Sequence, residues 1–144
     1  MTSNRDITTA LQRLLTAYER LGATRRRALG LNPNEEAALL LIGQGVTAPS
    51  ELSRTIGMTT AGVTNMLDRL EGDGLLRREP HETDKRRVLL TLTKKGFRAQ
   101  LEVEAVMSDV ALIATDAGEE SAASILAFLD AAAAHVDASA DRTS

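Results

Sequence analysis

The chain has 144 residues and no cysteine. This excludes disulfides, thiol nucleophiles, thiol redox sensing and any zinc site that uses sulfur. Aromatics make up only 2%. Tyr18, Phe97 and Phe128 are too few to bind single strands by base stacking. His81 and His135 stand far apart, in no metal-ligand spacing, so no metal is expected at either. No run of about 18 apolar residues occurs, so no membrane span is expected. Met1 to Asp6 lacks the apolar core of a signal peptide, and a cytoplasmic location follows as the expectation. No histidine lies near a Ser/Asp set, and no glycine loop is built to cradle phosphate. Glu102 and Glu104 are two apart and do not share a helix face, while Glu119 and Glu120 suit a helix start. The chain is therefore not expected to be an enzyme, and no catalytic, cofactor-binding or metal-binding residue is assigned.

Apolar residues make up 43%, which argues against disorder, and the length suits one domain with a real core. The net charge of −3 hides a strong asymmetry. Residues 1–49 carry six Lys/Arg against four Asp/Glu, net +2; residues 50–98 carry ten against seven, net +3; residues 99–144 carry one against nine, net −8. A basic front and an acidic rear point to a polyanionic partner for the front, although most single charges only solvate helix faces.

Ile7, Leu11, Leu14, Leu15, Tyr18 and Leu21 recur at spacings of three and four and predict a helix over 6–29. Asn32-Pro33-Asn34-Glu35 has a cap, a proline for the first helical position and a glutamate to answer the cap. The following helix, through Ala37 to Ile42, is apolar nearly all round and should be buried. Thr47 is the expected cap of a short helix bearing Leu52 and Ile56 and ending at Gly57. Thr59 is the expected cap of the next, which turns Val63, Met66, Leu67 and Leu70 to one face and stops at Gly72-Asp73-Gly74. Two helices joined by so short a glycine-containing turn form a helix-turn-helix. Two short apolar pieces, around Leu75-Leu76 and Val88 to Leu92, flank a charged loop and predict a hairpin. Thr93 should cap a long helix over 93–116. Asp116-Ala117-Gly118 breaks it, a last helix covers 119–137, and 138–144 should fray.

A helix-turn-helix followed at once by a strand pair is a winged helix. At these residues the chain resembles the MarR family of bacterial transcription regulators. The most specific piece is Asp84-Lys85-Arg86 with Leu92-Thr93 six residues beyond the arginine, similar to the family's wing signature. Asn65-Met66-Leu67-Asp68-Arg69-Leu70-Glu71, then Gly74-Leu75, resembles the end of its recognition helix. The helix order matches over essentially the whole chain. The resemblance implies a mainly α fold with a small β-hairpin wing. It implies one domain over 1–144, with a DNA-binding lobe at about 31–96 and a helical dimerisation region from 6–29 and 97–137. It also implies a homodimer on palindromic double-stranded DNA. A small effector, phenolic or otherwise aromatic, often weakens DNA binding in this family; no ligand residues are assigned here. A ligand-responsive repressor is the expectation. The alternative is a dimeric interaction module that has lost DNA binding.

The expected DNA-contacting residues follow from reach and chemistry. Thr60, Ala61, Thr64, Asn65 and Arg69 point away from the apolar face of the recognition helix. Threonine and alanine can meet a thymine methyl, and Asn65 can pair with adenine. Thr59 and Thr60 can hold phosphate at the helix start. In the wing, Arg86 is the expected minor-groove contact. Lys85 and Arg87 would add phosphate contacts, and Asp84 would hold an arginine in place. A charged hairpin tip that only protects an edge is the plainer reading of the same residues. Arg77 and Arg78 are weaker phosphate candidates. Arg25, Arg26 and Arg27 suit a helix C-terminus, with DNA or a ligand carboxylate as other options.

Overall fold

In the computed structural model, residues 3–81, 83, 84 and 87–142 are described. The order is α1 (Asn4–Leu29), α2 (Pro33–Gly43), α3 (Pro49–Ile56), α4 (Thr60–Gly72), β1 (Leu76–Pro80), β2 (Val88–Leu92), α5 (Lys94–Asp116) and α6 (Glu119–Asp141). The strands pair antiparallel, with Leu76 opposite Leu92 and Pro80 opposite Val88. The fold is mainly helical with a two-stranded wing, as the sequence leads one to expect. The chain divides into two compact units, 1–104 and 105–144.

Local chemistry sets most boundaries. Ser3 and Asp6 form a capping box at the start of α1, and the Ser3 donors hold the Asp6 carboxyl below its ordinary pKa. Asn32 and Glu35 form a second box at α2, with Pro33 in the first turn. Thr59 accepts from the Gly62 N–H at 3.2 Å. Thr93 accepts from the Gly96 N–H at 3.0 Å.

Two expectations are corrected. Thr47 is not the cap of α3: that position falls to Ala48, which makes no side-chain cap bond, and Pro49 begins the helix. The Thr47 carbonyl instead accepts the Leu90 N–H at 2.9 Å, tying the start of α3 to the wing. At the other end, α6 does not stop at 137 but continues to Asp141. Alanine-rich sequence has the highest helix propensity, so little is lost by extending it.

The first unit closes around Leu39, Leu52, Val63, Met66, Leu67, Leu70, Leu76 and Leu90, all buried. Five elements converge on this core: α2 packs on α3 and β2, α3 on α4, and α4 on β1. Gly96 marks the tightest approach. A Cβ there would lie 1.8 Å from the Leu75 carbonyl oxygen. That same oxygen accepts the Thr93 N–H at 3.0 Å.

The second unit differs. None of the described residues of α6 is buried, and Ile125, Leu126, Phe128, Leu129 and Val136 are all exposed. The segment Glu119–Ala140 is long and apolar enough, by length and composition alone, to cross a membrane. Alanine supplies much of that apolarity, and Asp130 and Asp137 interrupt it.

Candidate nucleic-acid interface

The α4 helix divides cleanly. Val63, Met66, Leu67 and Leu70 are buried, as their spacing indicates. Thr59, Thr60, Ala61, Thr64 and Asn65 are exposed together on the first two turns. The Thr64 hydroxyl donates to the Thr60 carbonyl at 3.0 Å, which leaves its oxygen lone pairs and methyl outward. The exposed N-terminal turns of α4 therefore present small polar and methyl groups on a rigid helix, a surface able to lie against base edges.

Arg69 is placed differently from the other outward residues. Its Nη2 donates to the Gly30 carbonyl at 2.8 Å. Its Nη1 lies 3.2 Å from the buried Glu35 carboxylate. The guanidinium thus links α4 back to the α1–α2 turn instead of standing open with Thr60 and Asn65. Sequence spacing could not show this, because Glu35 and Gly30 are over thirty positions away.

In the wing, Arg87 is exposed, and its N–H donates to the Asp84 carbonyl at 2.9 Å, closing the loop backbone. His81 accepts from the Thr83 N–H at 3.3 Å and is half-buried. Lys85 and Arg86 lie outside the described residues. Arg77 pairs with Glu79 at 3.0 Å. Arg78 reaches α4, where its Nη1 lies 2.6 Å from Asp68 and 3.3 Å from Glu71.

The run Arg25-Arg26-Arg27 resolves into two roles. Arg25 and Arg26 both bind the buried Glu36, at 2.6 and 2.7 Å. Glu36 raises the Arg26 pKa through its hydrogen bond. Arg25 also lies 5.9 Å from the Tyr18 ring centroid. Gly22 leaves the space: a Cβ there would lie 2.9 Å from Arg26 Nη1. Arg27 is exposed in the last turn of α1, where a cation suits the helix dipole.

A cavity of about 530 Å³ lies within the first unit, among Leu31, Leu75, Ala99, Arg69, Lys95 and Arg98.

Residues 31–88, which contain α2 through the start of β2, match the family described as MarR family. This stretch, which carries the winged helix, is similar to the MarR family. Among the curated relatives of this chain is the uncharacterized HTH-type transcriptional regulator YcgE of Bacillus subtilis (strain 168), 38% identical over 76 residues, covering 50% of this chain and 49% of YcgE. The chain spans about half the length of the curated relatives it matches. Among solved structures, the transcriptional regulator Tm0710 from Thermotoga maritima superposes with a TM-score of 0.65 at 27% identity, over 96% of this chain and 99% of that one. A mutant of S. aureus MepR bound to an oligodeoxyribonucleotide shares the fold, with a TM-score of 0.62 at 16% identity over 90% and 97% of the two chains.

Proposed function

We propose that this chain is a MarR-family regulator of transcription that binds double-stranded DNA sequence-specifically. It acts in the cytoplasm as a homodimer on a palindromic operator and represses until a small effector binds. The observation that carries the reading is the outward face of α4, where Thr60, Ala61, Thr64 and Asn65 stand exposed on a helix whose other face is locked in the core. The net +3 of residues 50–98 supplies phosphate attraction. Thr59 and Thr60 hold backbone phosphate, Asn65 reads a base, and Arg86 and its neighbours Lys85 and Arg87 extend the contact along the groove, with Asp84 orienting an arginine. Arg69 contributes by fixing the helix. The relatives named as regulators, and the DNA in the MepR structure, support the same reading. None of these relatives is named as an enzyme.

The exposed apolar residues of α1 and α6, among them Leu14, Leu15, Leu126 and Leu129, support self-association. The cavity beside Arg69 is a place where a small effector could sit: Leu31, Leu75 and Ala99 supply an apolar wall, and Lys95 and Arg98 face it together with Asp73 and Glu102. Two half-sites would lie about 10 bp apart, centre to centre.

The test is fluorescence anisotropy of the purified protein on DNA from upstream of its own gene and on random DNA, across a salt series, with Asn65→Ala and Arg86→Ala alongside. Tight, salt-dependent binding that prefers the upstream DNA is expected. Asn65→Ala should lose about 1–3 kcal/mol on the preferred site and little on random DNA. Equal binding to both DNAs by the parent protein, with no site found by genome-wide selection, would overturn the reading in favour of an interaction module.

A further inference from the structure

We infer that Arg78 is a positioning residue, which staples the wing to the recognition helix and covers two of that helix's carboxylates; it is not a phosphate contact. The inference rests on the DNA-binding reading. Residues 64, 68 and 71 form one stripe of α4, at spacings of four and three. Arg78 engages all three. Its Nη1 donates to Asp68 Oδ1 at 2.6 Å and to Glu71 Oε2 at 3.3 Å. Its backbone N–H donates to Glu71 Oε1 at 3.2 Å, and its Nη2 makes a long contact of 3.4 Å to the Thr64 carbonyl. One strand residue is therefore held at four points along two turns of the helix that would enter the groove.

The placement has two consequences. Arg78 pairs across the hairpin with Leu90. Leu90 is buried, and its N–H is bound by the Thr47 carbonyl. The root of the wing is thus fixed on one side by the α4 stripe and on the other by the segment before α3. This sets the angle between the helix that reads one groove and the loop that reaches toward the next. Second, Asp68 is exposed and Glu71 half-buried on α4. Uncovered, both carboxylates would repel the phosphate backbone. The adjacent Arg77 belongs to the other face of the strand, by the alternation of side chains, and takes no part.

The experiment compares operator and random-DNA affinities for the parent protein, Arg78→Lys, Arg78→Ala and the double variant Asp68→Asn/Glu71→Gln, with circular dichroism melts on each. The double variant decides the matter, because it removes two negative charges from the DNA side. Charge alone predicts tighter binding to every DNA. The clamp predicts that the operator-over-random ratio falls about tenfold although random-DNA binding is maintained or improved. Arg78→Lys should show a similar fall, because an ammonium cannot reproduce the planar fork. Combining Arg78→Ala with the double variant should add little further loss of preference. An unchanged ratio in the double variant, or full function with lysine at position 78, would overturn the inference and return Arg78 to the phosphate contacts. If the parent protein itself shows no operator preference, the DNA-binding reading fails first, and this inference falls with it.

Discussion

The core of the first compact unit and helix α6 of the second treat their apolar residues in opposite ways. In the first, leucines 39, 52, 67, 70, 76 and 90 are shut from solvent by neighbours on five different elements. In the second, no described residue of α6 is buried, although that helix carries five large apolar side chains. A core that closes on its own contacts makes a lobe stable whatever else is bound. A helix that leaves its apolar side chains open is stable only as part of something larger. The contrast separates residues that close the core of the first unit from apolar residues that stay exposed on α6.

The comparison can be broken at specific points. The largest effect is expected at Glu36. Glu36→Ala leaves Arg25 and Arg26 without their carboxylate in a largely buried site, and should cost about 3–5 kcal/mol by chemical denaturation. Gly96→Ala comes next. Its new methyl would meet the Leu75 carbonyl, a backbone atom that cannot step aside, so a loss near 3 kcal/mol, at the top of the usual range for overpacking, is expected in the same measurement. Thr59→Ala removes a helix cap and should cost about 1 kcal/mol. Leu126→Glu should be the mildest for the lobe. Its melting should shift by less than the equivalent of about 0.5 kcal/mol, while sedimentation velocity should show self-association weakened or lost. If Leu126→Glu instead unfolds the lobe, the two units are not independent and the contrast drawn above fails.

Much of the architecture was legible because it is written at short range. The caps at Asn32, Thr59 and Thr93 each use partners three residues away, and the buried stripe Val63, Met66, Leu67, Leu70 follows helical period alone. What escaped the sequence was decided across the chain. Thr47 looks like a cap until Leu90, some forty residues on, claims its carbonyl. Arg25 and Arg26 looked like dipole partners at a helix end, because nothing local marks Glu36 as the carboxylate they share. Arg69 and Asn65 are one turn apart and looked equivalent; only the fold shows that one of them is drawn back to Gly30 and Glu35. Long cationic side chains can reach partners over several ångströms in many directions, so their assignments are the least readable from spacing.

The closeness of Gly96 to Leu75 has a bearing on how such chains can be recombined. Thr93 and Gly96 both meet the Leu75 backbone, and the Thr93 hydroxyl also donates to the Gly74 carbonyl at 2.6 Å. The passage from wing to long helix is therefore a fitted joint with no slack, unlike most connections between elements, which accept extra residues readily. A chimera that joins this lobe to the rear helices of a relative should carry residues 74–96 as one block and place its seam further along α5. A seam inside that block would import a side chain or a register that the Leu75 carbonyl leaves no room to admit.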